Sequence, residues 1–207
     1  MVEPPRLHAH LVAVVVICAL AGCSGKGSAS SPGDASADGG STQEAIGASC
    51  IPSDESSPTF AGFSASSVVL DANNPACGSG PCLVNHFQGL TSCPYGQDAQ
   101  GTPPAGEKAC TVPGTGQQVT QAVQPWCADR PASAAVYCSC RCANADGRTD
   151  DGATYCECPG SFTCAQFVSP PGPGDTVSGA YCVEDGTQYD PSVSCAVECD
   201  PASSSCG

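Results

Sequence analysis

The sequence predicts a small disulfide-rich fold, mainly β hairpins and irregular loops, behind an N-terminal signal helix and a disordered tether. Three observations carry that expectation. From Cys50 to Gly207, 16 of 158 residues are cysteine, a density of about one in ten that marks disulfide scaffolds. Over the same stretch Ile, Leu, Val, Phe, Met and Trp together number 22, about 14%, below the roughly 20% carried by a chain that folds on its apolar core alone. Clusters of Gly, Pro, Asn, Asp and Ser also interrupt every apolar run within about ten residues.

The N-terminal element comes first. Leu11 to Ala21 is an apolar run preceded by a polar stretch with Arg6, the layout of a secretory signal. It is too short for a spanning helix, which needs about 20 apolar residues. Leu20-Ala21-Gly22-Cys23 at its end resembles the bacterial lipobox, where the thiol is alkylated with diacylglycerol and the chain is cut just before it. The resemblance covers residues 1–23. It implies a signal peptide at 1–22, cleavage between Gly22 and Cys23, lipid on the Cys23 sulfur and a fatty acyl chain such as palmitate on the new amine. In lipoproteins sorted in the enterobacterial manner, aspartate after the lipidated cysteine retains the protein in the inner membrane. Ser24 therefore implies the outer membrane, on its periplasmic face or at the cell surface. At about 0.8 kcal/mol per buried methylene, two or three acyl chains hold permanently.

Residues 23–49 then form the lipidated cysteine and a Gly/Ser/Ala linker, with a reach of very roughly 25–30 Å. The body, 50–207, carries the sixteen disulfide candidates: Cys50, Cys77, Cys82, Cys93, Cys110, Cys127, Cys138, Cys140, Cys142, Cys156, Cys158, Cys164, Cys182, Cys195, Cys199 and Cys206. Cys18 leaves with the signal and Cys23 takes lipid, so the remainder is even, as a framework of up to eight bridges in an oxidising compartment requires. Connectivity stays open, because sixteen cysteines allow roughly two million pairings.

Short strands are expected at Ser67–Asp71, Leu83–Phe87, Ala135–Cys142, Thr154–Cys158 and Ala180–Glu184, all rich in Val, Tyr, Phe or Cys. Gln117 to Val123 is the one stretch suited to a helix. In the densest block, Tyr137-Cys138-Ser139-Cys140-Arg141-Cys142, alternate residues would share a face, and a turn at Asn144-Ala145-Asp146-Gly147 would return the chain as an antiparallel hairpin with Tyr155 to Cys158. Tyr155-Cys156-Glu157-Cys158-Pro159-Gly160, with Phe162 and Cys164, resembles the C-terminal half of an EGF-like module over about ten residues. The spacing of Cys138, Cys140 and Cys142 departs from that module, so no calcium site is carried over. Pro170 to Gly174 reads as a joint, giving sub-parts 50–126, 127–169 and 175–207.

The chemistry is narrower. A net charge of −14 repels phosphate backbones and excludes a nucleic-acid partner, leaving Lys26, Lys108, Arg130, Arg141 and Arg148 as the cations of the mature chain. No Cys-x-x-Cys follows Cys23, which removes thioredoxin-type redox chemistry, and an oxidising compartment disfavours thiolate metal sites. Asn144, Asp146, Asp150 and Asp151 place oxygen ligands in one loop, a weak calcium candidate. Arg148 and Thr149 fall where an EF-hand needs an oxygen donor and glycine, so a solvated acidic turn is preferred and no metal or cofactor is expected. His86 is the single histidine after the signal. A histidine-based hydrolase would need it, oriented by an acid such as Asp71 or Asp98, but its alternating surroundings suit a strand residue. Trp126 beside Cys127 suits packing.

The expected function is a non-catalytic binding or structural module on a lipid anchor, its partner in addition to the membrane being an unidentified protein or polysaccharide. The alternatives are a carboxylate-based hydrolase of envelope or external polymers, whose paired acids would line a cleft, and a protease inhibitor with a rigid exposed loop such as Thr111 to Pro125.

Overall fold

Six short strands form two three-stranded antiparallel sheets. In this computed structural model, residues 45–72, 74–167, 178–203 and 205–206 are described. The signal segment, the lipobox, the tether through residue 44 and the joint at 170–174 lie outside those residues. The first sheet has the order β1 (Val68–Asp71), β2 (Cys82–Asn85), β3 (Val136–Cys138). The second places β6 (Gly179–Glu184) between β4 (Arg141–Ala143) and β5 (Phe162–Phe167). The helical elements among the described residues include one α-helical turn, Ala132–Ala135, and two short 3-10 turns at Ser53–Ser56 and Pro75–Cys77. Among the described residues no helix is long and apolar enough to cross a membrane.

Strand alternation divides the core. In β2, Val84 packs with Phe63, Phe87, Trp126 and Val136 on one face, while Leu83 points the other way to join Tyr137 and Val183. That second face joins the two sheets. Tyr137 meets Phe162 edge-on, with centroids 5.8 Å apart, and its hydroxyl accepts a hydrogen bond from Glu184 N at 3.1 Å. A separate cluster of Leu90, Val112, Val119 and Val123 fills the loop region.

All sixteen cysteines of the body are paired. Cys50–Cys82 and Cys77–Cys138 staple the first sheet, and Cys93–Cys110 closes the loop cluster. Cys140–Cys156, Cys142–Cys164 and Cys158–Cys182 surround the second sheet. Cys127–Cys195 and Cys199–Cys206 tie down the C-terminal loops. With so little apolar surface, these bridges contribute about 2–4 kcal/mol each by restricting the unfolded chain.

Several expectations change. The run 135–142 is not one strand. Ser139 N donates to Pro81 O of the first sheet, and its Oγ donates to Cys182 O of the second. The chain therefore passes from one sheet to the other at this residue. Cys138 bridges into the first sheet, whereas Cys140 and Cys142 bridge around the second, so the three share no common face. Residues 154–158 form no strand. One backbone bond, Cys156 N to Arg141 O at 3.0 Å, and two bridges hold them beside β4, so the expected hairpin is replaced by pairing of β4 with β6. The partner of β6 on its other side is Phe162–Phe167, a strand the sequence reading passed over. Gln117–Val123 is not helical; isolated bridges join Gln118 to Thr111 and Val123 to Gln97. The second expected strand stops at Asn85, because His86 adopts φ 51°. The body also starts earlier than Cys50: Gly47 N and Ala48 O bond to Cys138, and Ser49 bridges Tyr137.

Acidity serves the turns. Asp98 accepts from Gln100 N and Thr102 N, Asp129 from Cys195 N, Asp190 from Ser192 N and Asp200 from Ala202 N. In a chain with few ladder hydrogen bonds, aspartate side chains supply the acceptors that loop amides need.

Candidate binding cleft

An open cleft of about 400 Å³ lies at the junction of the sheets. Leu70, Gly80 and Pro81 line it from the first sheet and its approach, and Arg141, Tyr155 and Tyr181 from the second. The Cys140–Cys156 bridge is part of the wall. Each position has a local cause. Gly80 sits so close to Ser139 O that any Cβ would collide with it, and this contact lets the 79–81 turn close against the sheet crossover. Arg141 pairs with Tyr181 across β4 and β6, and its side chain lies across Gly179. That glycine has φ 148°, and a Cβ there would fall 2.7 Å from Arg141 Nε. Arg141 Nη2 donates to Ser178 O at 2.9 Å, and its guanidinium stands 5.7 Å from the Tyr155 ring centroid.

Tyr155 is oriented from behind. Its hydroxyl donates to Asp151, 2.9 Å from Oδ1 and 2.7 Å from Oδ2. That bond is the main cause that pulls the Asp151 carboxyl down from 3.8 to about 2, helped by Asn144 Nδ2, and it raises the Tyr155 phenol above its ordinary value. The acidic loop thus braces a cleft residue. Of the calcium candidates, Asn144 and Asp151 are brought together, but by Nδ2 donating to Oδ2 at 2.9 Å. Asn144 Oδ1 accepts from Asp146 N and Arg148 N, and Asp146 and Asp150 flank the Arg148 guanidinium at 3.9 and 3.7 Å. The oxygens do not converge on a common point.

The remaining candidates have other partners. His86 Nδ1 donates to Ala65 O at 2.9 Å, and its ring stacks on Tyr189 with centroids 4.0 Å apart. Burial lowers its pKa from the ordinary 6.5. The acids named for it are elsewhere: Asp71 accepts from Ser53 N and Asn74 Nδ2, while Asp98 caps its own turn. Trp126 is buried, donates from Nε1 to Leu90 O at 2.6 Å and meets Phe87 edge-on. Glu55 is the buried acid. Thr91 N and Oγ1 donate to it at 2.8 and 2.9 Å, yet burial raises its pKa above 4.5. The 111–118 hairpin is exposed at its tip, with Val112 N bonded to Gln117 O at 2.7 Å and Val119 N to Cys110 O at 2.9 Å. Three cysteine groups have sulfurs within 4.8 Å of one another, such as Cys140, Cys156 and Cys182. Every one of these sulfurs belongs to a bridge, so none offers a thiolate.

Sequence reasoning missed the cleft. Arg141 stood out as one of few cations, and its place between Cys140 and Cys142 was the available signal. Tyr181 and Pro81 carried none, because only the tertiary fold brings them near Arg141. Comparison with known proteins finds no family model, no curated protein and no solved structure that matches this chain.

Proposed function

We propose that this protein is a lipid-anchored cell-envelope binding module, tethered at Cys23, whose disulfide-stapled body takes an anionic ligand with an apolar face. The observation that carries the reading is Arg141 in the cleft, a guanidinium among Tyr155, Tyr181, Leu70 and Pro81 in a chain of net charge −14. Guanidinium recognises carboxylate and sulfonate oxygens by charge-assisted hydrogen bonds, and phenol rings supply apolar contact. Bridges on the wall keep the cleft preformed, which cuts the ordering cost of binding. The lipobox residues and an even set of cysteines fit one oxidising compartment. Among the described residues no carboxylate lines the cleft, which favours binding over carboxylate-based hydrolysis.

Anilinonaphthalene sulfonate, an aromatic anion, tests the cleft. The acidic surface repels it, so a fluorescence rise with the oxidised protein reports a local cation. Arg141→Gln should weaken binding about tenfold, the equivalent of one charge-assisted bond at about 1.4 kcal/mol. Unchanged affinity in that variant would remove the cleft from the proposal. For the anchor, metabolic labelling with a lipid probe should mark the wild type and not Cys23→Ser. A labelled variant that still sediments with membranes refutes the anchor.

A further inference from the structure

The cleft that holds Arg141 also borders an open sheet edge. In an antiparallel pair, the backbone groups of successive residues point to alternate sides. His86 N donates to Ser67 O, and Val69 and Asp71 stand opposite Val84 and Cys82, so Ser67, Val69 and Asp71 turn their groups to β2. The N–H and C=O of Val68 and Leu70 therefore point away from it. β1 is an outer strand of its sheet, and among the described residues nothing bonds those groups. Leu70 and Ala72 line the cleft, which sets the open edge at its rim. The edge of the second sheet is closed there, because Arg141 O in β4 accepts from Cys156 N at 3.0 Å.

Unpaired edge groups are a template for another extended chain. The lining decides how that chain ends. Arg141 donates from Nη2 to Ser178 O. Among the described residues its other nitrogens have no acceptor, and no carboxylate pairs with it. Asp71, next to Leu70 in the strand, points to the opposite face, where it accepts from Ser53 N and Asn74 Nδ2. The guanidinium thus keeps its positive charge for an incoming carboxylate. Leu70, Pro81 and the Tyr155 and Tyr181 rings beside it offer apolar contact. The last residue of a polypeptide carries a carboxylate, a side chain and a main-chain N–H together. A free aromatic acid would leave the edge unpaired. An internal glutamate would spend on Arg141 the one side chain that the apolar wall needs.

We propose that the cleft takes the free C-terminus of an extended peptide or protein. Its carboxylate binds Arg141, its last, apolar side chain packs on the tyrosines, and its main chain adds to the outer edge of β1 beside Leu70. This rests on the reading of the cleft as an anion site and names the ligand of that site.

The test uses oxidised protein and two probes, N-acetyl-alanyl-valyl-leucine with a free carboxylate and the same peptide as its C-terminal amide. Calorimetric titration runs to about 1 mM, ten times a Kd of about 0.1 mM. The acid should bind at least about tenfold more tightly than the amide, the effect of one charge-assisted bond. In Arg141→Gln the two should bind equally. Hydrogen exchange followed by ¹⁵N NMR reads the edge directly. The Leu70 amide should exchange openly in the free protein and slow about tenfold at that concentration of the acid. The Val69 amide, which faces β2, should be protected throughout. Equal affinity of acid and amide for the wild type, no saturable binding of the acid, or a Leu70 exchange rate that the acid leaves unchanged overturns the inference. Anilinonaphthalene sulfonate separates the two readings. If its binding depends on Arg141 while the peptide fails, only the C-terminus is lost; if it ignores Arg141→Gln, the anion site falls as well.

Discussion

Replacing Arg130 by methionine should loosen the junction of the first sheet with the loop at Thr187 that follows β6. Arg130 is 3% exposed, and its guanidinium donates from Nη2 to Asn85 O at 2.5 Å, from Nε to His86 O at 3.0 Å and from Nη1 to Thr187 O at 3.0 Å. Methionine keeps the length and apolar stem but leaves three acceptors. Thr187 is half-exposed and water can reach it, whereas Asn85 is fully buried and His86 partly so. Two inner carbonyls at about 1–3 kcal/mol each give a loss of about 2–6 kcal/mol, a large part of a small domain's stability. Urea unfolding of the oxidised protein is the assay. With an m of about 1–3 kcal/mol/M, the midpoint should fall by at least about 0.7 M at constant m. Arg130→Lys supplies a point donor in place of the fork and should recover only about half of the loss. A loss below about 1 kcal/mol in the methionine variant, or a lysine variant equal to wild type, would refute the claim that the fork organises this corner.

Two further perturbations follow from geometry. Burial raises the Glu55 pKa above 4.5, so the folded state holds that proton more tightly than the unfolded chain. Its contribution to stability is full below about pH 4.5 and is lost as pH rises through the raised folded value. Glu55→Gln should flatten this fall in unfolding free energy between about pH 4 and 7, and identical slopes for both proteins would count against it. Bridges should differ in weight with the loop they close. Cys77→Ser with Cys138→Ser opens a separation of 61 residues and should cost about 4 kcal/mol, whereas Cys199→Ser with Cys206→Ser, separation 7, should cost about 2 kcal/mol. Equal midpoints in urea would show that loop entropy does not set the order.

The cysteine-rich, strand-and-loop class was legible in the sequence because counting suffices: too few large apolar residues, too many cysteines. Strand positions were legible where local pattern and pairing agree, at Val68–Asp71, Cys82–Asn85 and Gly179–Glu184. The failures have a common cause. Cys156 and Cys158 alternate with Tyr155 and Glu157, yet covalent bridges rather than a ladder hold that segment. The run 135–142 has a strand's composition throughout, and only the contacts of Ser139 with Pro81 and Cys182 reveal two sheets. Phe162-Thr-Cys-Ala-Gln-Phe167 carried aromatic and β-branched residues, a usable signal overlooked beside the denser block. The cleft was not legible, since its residues come from five separate stretches of chain.

The docking of residues 47–49 on Cys138 and Tyr137 has a mechanical consequence. Tension arriving from the N-terminal side meets backbone bonds to β3 first, then Cys50, whose bridge leads to Cys82 in β2. Since β2 is the central strand of its sheet, load beyond residue 50 passes through a covalent bond into the middle of the body. Force would peel the described residues ahead of Cys50 and then stall, leaving the cleft in shape.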